Sequence, residues 1–170
     1  MKTLKTILLL LALACASNSV GQTKEETIEW LIVNGKPLCE MRCEDVKHNQ
    51  VTTFFLSKVT TDTLKFWIGN TVFPRVIYVA IKDILFEDVN KLQKSGGNGE
   101  CNTFLINLAK EAKYIEIPLL ENGKENFKEK ELRSGRIPFF FENEENAIRV
   151  IKAIMHLAKL SGAKENKQTF

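Results

Sequence analysis

The sequence predicts a single-domain α+β protein in which antiparallel strands lie between a short N-terminal helix and a long amphipathic C-terminal helix. Three observations support this class. The segment Thr23–Glu26 has the pattern of a capping box and opens an apolar stripe at helical spacing. From Val51 onward the apolar residues follow strand patterns rich in β-branched and aromatic side chains. A second helical stripe begins after Asn143 and continues to Ser161.

The first 21 residues are expected to be a signal peptide rather than part of the fold. Lys2 and Lys5 precede an unbroken apolar run at 7–14, and small residues follow up to Gly21. This order of a positive, an apolar and a small-residue region is typical of secretory signals. The apolar run is far shorter than the ~20 residues that span a bilayer.

Two kinds of N-terminal processing remain open. Cleavage before Gln22 would place Ser19 and Gly21 at the positions that a signal peptidase reads. Lipidation at Cys15 is the alternative, although the expected leucine three residues earlier is Ala12. We therefore expect an exported protein, periplasmic or secreted, with a membrane-anchored lipoprotein as the second interpretation.

Charge argues against two classes of partner. The chain has 24 Lys and Arg and 21 Asp and Glu, and removal of Lys2 and Lys5 leaves a net charge of +1. A near-neutral protein lacks the basic footprint of a nucleic-acid binder, and charge alone would not draw it to an anionic membrane. Residues 22–163 are long enough for one domain with its own core, and 164–170 are expected to form a disordered tail.

Strand patterns recur between the two helices. The pattern at 75–88 is apolar on both faces, which indicates a strand that is buried or covered by a helix. The glycine-rich stretch 95–100 predicts an exposed turn, and the polar stretch 121–135 predicts a hairpin loop with a ragged strand. The remaining strand patterns lie at 51–59, 63–69, 102–110, 114–120 and 136–141.

The two helices differ in the strength of their signals. The first has apolar residues at Ile28, Leu31 and Ile32 and is expected to end at Asn34-Gly35. The second has Asn143 as a good N-cap and a single narrow polar stripe on an otherwise apolar surface. Such a helix must lie across a sheet or cap an open barrel end. The polar stripe consists of Glu145, Arg149, Lys152, His156 and Lys159.

The two ends of the chain resemble a known fold. The stretch "IPFFFENEENAIRVIKAIMHLAKLSG" resembles the last strand and helix of pleckstrin-homology-like (PH-like) domains in uncharacterised bacterial envelope proteins, and "TKEETIEWL" resembles the short helix that precedes them. The resemblance implies an antiparallel barrel or sandwich with a C-terminal helix. It also implies a non-catalytic protein-binding or scaffold module, whose protein partner is unknown.

The lipid-binding motif of PH domains is incomplete here. That motif places basic residues on the first two strands, and its positions correspond to Lys58, Lys65 and Trp67, where an arginine would be expected in place of Trp67. Phosphoinositide binding is therefore not expected. A carrier of a small apolar ligand or lipid inside a β-barrel is the alternative function, because the strands are apolar on both faces.

The stretch "LCEMRCEDVKH" at 38–48 is the segment that most suggests chemistry. In an exported protein, Cys39, Cys43 and Cys101 predict one disulfide and one remaining thiol. Cys39 could pair with Cys43, or either could pair with Cys101 and close a loop of about sixty residues, which would stabilise the fold by ~4 kcal/mol. A metal site of Cys39, Cys43, His48 and Cys101 is a second alternative function, although the spacing is loose and a second tight ligand pair is missing.

No other pattern predicts a site. The chain contains no G-x-S-x-G, phosphate-loop or H-E-x-x-H motif. His156 is expected to be an exposed polar residue of the last helix. The aromatic residues are expected to lie mostly in the core. Adjacent pairs such as Phe54-Phe55 and Phe66-Trp67 must turn one ring of each pair outward on a strand, which leaves an exposed apolar patch for a partner as the alternative. We therefore expect no cofactor, no resident metal and no catalysis.

Overall fold

The computed structural model describes residues 22–45, 48–70, 74–97 and 100–167, with the side chains of Asn70 and Gly97 excepted. The predicted signal peptide and Cys15 lie outside these residues, so cleavage and lipidation remain predictions. The described residues contain helices and two antiparallel sheets. The α+β class is therefore confirmed.

The N-terminal helical region consists of three consecutive parts. Helix α1 spans Lys24–Trp30, a π-helical turn spans Leu31–Gly35, and helix α2 spans Lys36–Cys39. The predicted capping box is present: the Thr23 hydroxyl accepts a hydrogen bond from the Glu26 amide at 3.2 Å, and the Glu26 carboxylate accepts one from the Thr23 amide at 2.8 Å. The prediction that the first helix ends at Asn34-Gly35 is wrong, because the helical backbone continues to Cys39.

Gly35 has a packing role instead of a capping role. Its φ of −66° is right-handed helical, whereas a glycine that ends a helix adopts a positive φ. A Cβ atom at this position would lie 3.0 Å from Leu31 Cδ2. The glycine therefore allows Leu31 to pack closely against the helical backbone.

The spacing of the buried residues accounts for the π-helical turn. Thr27, Leu31, Gly35 and Cys39 are buried and recur every four residues. A regular α-helix with 3.6 residues per turn rotates by about 40° over each such step, which would turn the later members of the series away from the core. A wider turn in the middle of the region reduces this drift and keeps all four residues on the buried side.

The larger sheet has six strands in the order β1-β2-β3-β4-β7-β8, and every neighbouring pair is antiparallel. Strand β1 follows α2 directly and was not predicted from the sequence. The pairing of β2 with β3 shifts register between Leu56 and Lys58. The strands span Met41–Asp45 (β1), Gln50–Val59 (β2), Thr63–Asn70 (β3), Arg75–Ala80 (β4), Lys113–Pro118 (β7) and Glu131–Ser134 (β8).

The smaller sheet has three strands in the order β5-β6-β9. They span Gln93–Gly97 (β5), Glu100–Asn107 (β6) and Arg136–Phe140 (β9). No strand of one sheet pairs with a strand of the other within the described residues, although an isolated bridge joins Ile84 to Leu108. Of the expected barrel or sandwich, a closed barrel is therefore not formed, because β4 pairs with β7 and β6 pairs with β5 and β9, which leaves two separate sheets.

The core lies between the two sheets and the C-terminal helix α3, Glu144–Leu160. Asn143 caps this helix by accepting a hydrogen bond from the Asn146 amide at 3.0 Å. Helix α3 contacts both α1 and α2 and buries its apolar face, as predicted. The largest fully buried side chains are the phenylalanines Phe54, Phe66, Phe104 and Phe139.

Two predicted segments differ in extent from the structure. The strand expected at 75–88 ends at Ala80, where a 3-10 turn, Ile81–Asp83, begins. The tail expected from residue 164 is hydrogen-bonded through Asn166: Phe86 donates to the Lys164 carbonyl at 3.1 Å, and the Asn166 amide donates to the Phe86 carbonyl at 3.0 Å. Residues 164–166 thus pair with the backbone at Phe86. Residues 168–170 lie outside the described residues.

Candidate functional site

The cysteine segment forms a structural cross-link. Cys43 and Cys101 form a disulfide with a Cα–Cα distance of 5.7 Å. The bond joins β1, an edge strand of the larger sheet, to β6, the middle strand of the smaller sheet. Among the pairings that the sequence left open, this one closes the long loop and connects the two sheets, with an expected stabilisation of ~4 kcal/mol.

The remaining thiol, Cys39, is buried at the end of α2. The Leu56 amide donates to its sulfur at 3.1 Å. Burial raises the pKa of the Cys39 thiol from 9.0 to about 12, because the thiolate would lose its hydration. The thiol is therefore protonated at neutral pH, and its environment lacks the features of a reactive cysteine.

The four residues proposed as an alternative metal site do not come together as ligands. The sulfur atoms of Cys43 and Cys101 are bonded to each other, and a thiolate is what a zinc site requires. His48 Nδ1 lies 2.9 Å from the Asp45 carboxylate, which gives the imidazole a local partner. The described part of the chain contains no cluster of three or more His, Cys, Asp or Glu residues that could hold a metal ion.

The lysine expected at the second basic position of a PH lipid site is engaged within the protein. Lys65 forms an ion pair with Glu125, and the Tyr78 hydroxyl donates to the same carboxylate at 2.7 Å. Burial opposes the charge of Glu125, but the hydrogen bonds from Lys65 and Tyr78 outweigh it and lower the pKa of this carboxyl. Lys58 lies opposite Lys65 across β2 and β3 and remains exposed.

Trp67, which replaces the arginine of that motif, packs on its own sheet. Its ring stacks on Phe55 with a centroid distance of 5.0 Å. A Cβ atom on Gly69 would lie 2.0 Å from the Trp67 ring, so the indole covers the strand at this glycine. Phe55 and Trp67 point outward, as the adjacent-aromatic pattern predicted, but both are half-buried. This stack has a structural role and is not a large open patch.

The most exposed apolar side chains of the sheets lie elsewhere, on β8 and the segment before it. Phe127 and Leu132 have exposed fractions of 65% and 61%, and Leu120 is also exposed. All four residues of β8 are exposed, and the strand pairs only with β7 among the described strands. The sequence predicted residues 121–135 as a polar hairpin loop with a ragged strand, because charged residues outnumber apolar ones within this stretch, and β8 is that strand.

A network of charged side chains connects β8 with β7 and β4. Glu116 on β7 is 9% exposed, and its two carboxylate oxygens lie 3.1 Å from Arg75 Nε and 3.8 Å from Arg133 Nε. Arg133 also pairs with Glu131 on β8. The two arginines and two glutamates neutralise each other's charge. This network therefore holds the edge of the sheet together and leaves no net charge that would attract a single ion.

An apolar groove lies between the N-terminal helical region and β2. It has a volume of about 270 Å³. Its floor consists of Leu31, Leu56 and Val59, which are all buried. Its rim consists of Ile32, Ser57, Lys36 and Lys58. Sequence reasoning missed the groove, since its residues come from two segments that no motif connects.

His156 has an ordinary structural partner. Its Nε2 atom lies 3.0 Å from the backbone oxygen of Gln22, and the side chain is half-buried instead of exposed. It connects the start of the described chain to α3. No helix among the described residues combines the length and the apolar character needed to cross a bilayer.

Comparison of the chain with protein-family models, curated proteins and solved structures found no match.

Proposed function

We propose that this protein is an exported, non-catalytic module with a PH-like arrangement, which binds an extended segment of a partner protein along the edge of β8. The observation that carries the proposal is the exposure of Leu132 on this edge strand, together with that of Leu120 and Phe127 in the connection that leads from β7 to β8. Large apolar side chains in contact with water mark interaction surfaces when they lie together on a folded domain.

The edge of β8 offers two kinds of contact to an extended peptide. Its outer backbone amides and carbonyls can pair with an added strand, which provides affinity. Leu132 lies opposite Ile115 of β7, so it can contact alternate side chains of the added strand. Glu131 and Arg133 flank Leu132 and pair with each other, which reduces the cost of leaving the edge open in the free protein.

Export is supported by the disulfide together with the N-terminal sequence pattern. Disulfides persist in oxidising compartments and are rare in the reducing cytosol. The Cys43–Cys101 bond joins the two sheets, so the fold would lose a major constraint in a reducing environment. A PH-like relationship is supported by the chain order of antiparallel strands followed by α3.

A ligand carried between the sheets has less support. Four phenylalanines fill this space, and Phe54 contacts Phe66 and Phe139 with ring centroids 5.4 Å and 5.1 Å apart. Displacing such packing to admit a ligand would cost about 1–3 kcal/mol or more. The protein-binding edge requires no change in the core.

Site-specific photo-crosslinking in the producing cell tests the proposal. A photoreactive residue at Ser134 on β8 should capture a discrete partner protein, whereas the same residue at Lys152 on the exposed face of α3 should not. The double variant Phe127→Ser/Leu132→Ser should reduce the yield at Ser134 at least fivefold. Both positions are exposed, so their substitution should change folding stability by no more than about 0.5 kcal/mol.

The matched control is Ile32→Ser, which removes an exposed apolar side chain far from β8 in the sequence. This variant should leave the crosslink at Ser134 unchanged. Equal yield from the double variant and the wild-type protein would contradict the proposal. A crosslinked product with only the mass of two copies of this chain would also contradict it, because the surface would then be a self-association interface.

A further inference from the structure

Burial within the larger sheet ends at β7. On β7, Glu116 and Ile117 are 9% and 3% exposed, whereas every residue of β8 is exposed. In the whole stretch 120–134, Glu125 and Asn126 are partly buried and all other residues are exposed. Because burial of apolar surface is the main stabilising contribution to folding, this stretch is joined to the fold more weakly than the strands beside it.

Both ends of this stretch are fixed to the rest of the protein. Just before it, the Leu119 amide donates a hydrogen bond to the carbonyl of Pro74, next to β4, at 2.8 Å. Just after it, the Gly135 carbonyl accepts a hydrogen bond from the amide of Leu108, next to β6, at 2.9 Å. Gly135 has a φ of 94°, a conformation that costs glycine little. Residues 120–134 therefore form a segment between two fixed points, which we call the flap.

The attachments of the flap itself are polar. Its strand β8 pairs with β7 along one side, and the Asn126 amide donates to the Pro118 carbonyl at 2.8 Å. The Glu125 carboxylate pairs with Lys65 on β3 and accepts a hydrogen bond from Tyr78 on β4 at 2.7 Å. Glu125 thus connects the flap to two strands that lie further inside the sheet than β7.

The balance of free energies favours release of the flap before the rest of the fold. Water replaces the partners of broken polar contacts, so each contact contributes modestly to stability. The ion pair between Arg133 and Glu116 contributes less still, because the Arg133 side chain is 52% exposed. Release also returns conformational freedom to the backbone. Segments with these properties open as cooperative units at a lower free energy than the core.

We propose that the flap detaches from β7 as one unit while the remaining strands of both sheets stay folded, and that the Glu125 carboxylate is its latch. Detachment makes β7 the edge strand and removes the edge of β8. A partner that binds along β8 therefore also holds the flap in place. This last consequence rests on the function proposed above, whereas detachment in the free protein does not.

Native-state hydrogen exchange, followed by NMR on the disulfide-bonded protein in low concentrations of urea, tests the detachment. The amides of Asn126 and β8 should exchange about a hundredfold faster than those of the central strand β3. Their rates should depend little on urea, since opening the flap exposes little surface. Leu119 is the matched control: its hydrogen bond has the same length as that of Asn126 but faces β4, so its amide should exchange more slowly.

Substitutions at the latch test the role of Glu125. At neutral pH, Glu125→Gln should raise the exchange rates of the flap amides about fivefold, and Lys65→Gln should raise them to a similar extent. The double variant Glu125→Gln/Lys65→Gln should exceed neither single variant by much, because all three remove the same contact. Glu129→Gln changes an exposed carboxylate of the flap and should leave the rates unchanged.

Three results would overturn the inference. Equal urea dependence for the amides of β8 and β3 would show that the flap opens only when the whole protein unfolds. Equally fast exchange at Leu119 and Asn126 would show that the end of β7 opens with it. Equal rates in Glu125→Gln and Glu129→Gln would remove the latch. Absence of a crosslink at Ser134 would contradict the proposed function and leave these exchange results standing.

Discussion

The two helical regions of this protein begin alike and end differently. Both start with a side-chain cap, from Thr23 in one and Asn143 in the other, and both contribute buried residues to the same core. Helix α3 continues without interruption for 17 residues. The region Lys24–Cys39 widens into a π-helical turn and leaves Ile32 and Val33 exposed.

The difference shows that the spacing of buried residues, and not the strength of the cap, determines the regularity of a helix here. Buried residues on α3 recur after three or four positions, as at Val150, Ile154 and Leu157, which matches 3.6 residues per turn. In the N-terminal region they recur strictly every four. Helix α3 therefore stays regular over its whole length, whereas the N-terminal region contains the wider turn Leu31–Gly35.

The largest expected effect comes from removing the disulfide. One of its cysteines, Cys43, lies on β1 next to the N-terminal helical region, and neither cysteine lies on α3. The double variant Cys43→Ser/Cys101→Ser should lose ~4 kcal/mol of unfolding free energy in urea, since a loop of 58 residues is no longer closed in the unfolded chain. Hydrogen exchange should increase first in β1 and the helical region before it, and later in α3, because β1 is an edge strand.

Reduction of the wild-type disulfide is the matched control and should reproduce this result. A uniform increase in exchange across both helical regions would show that they open together. That outcome would remove the proposed difference in local stability.

An intermediate effect is expected from truncating one isoleucine in each region. Ile154 on α3 is fully buried, so Ile154→Ala should cost about 3 kcal/mol through lost burial and a residual cavity. Ile32→Ala should change stability by no more than about 0.5 kcal/mol, since that side chain already contacts water. Urea unfolding of both variants measures the contrast, and similar losses at the two positions would mean that Ile32 is buried in solution.

The smallest effect should come from removing the carboxylate of Glu125, which contacts Lys65 on β3 and Tyr78 on β4 of the larger sheet. The ion pair with Lys65 and the hydrogen bond from Tyr78 lower the pKa of Glu125 below its usual value of 4.5 despite burial. A lowered carboxyl pKa stabilises the fold above the unfolded-state pKa, and this contribution is lost as pH falls through the folded-state pKa. Glu125→Gln should therefore cost up to about 1 kcal/mol at pH 7 and progressively less below pH 4.5.

Glu129→Gln is the control for this titration, because Glu129 lies exposed in the same segment. Its unfolding free energy should match that of the wild-type protein at each pH. A loss for Glu125→Gln that does not vary with pH would show that the side chain acts through packing instead of charge.

The features that depend on neighbouring residues could be predicted from the amino-acid sequence. The capping box at Thr23, the N-cap at Asn143, most of the strands and the apolar face of α3 were all recognisable, because each arises from contacts within a few positions along the chain. The odd number of cysteines after the predicted signal peptide likewise indicated one disulfide and one thiol. These local signals were sufficient for the α+β class.

Which distant segments meet could be established from the tertiary structure alone. The fold pairs Cys43 with Cys101 in the disulfide, extends the first helical region to Cys39 and separates the strands into two sheets. None of these outcomes is contained in a local pattern, because each depends on which surfaces the core buries together. A pairing between residues far apart in sequence becomes favourable only when the whole fold offsets the entropy of closing the intervening loop.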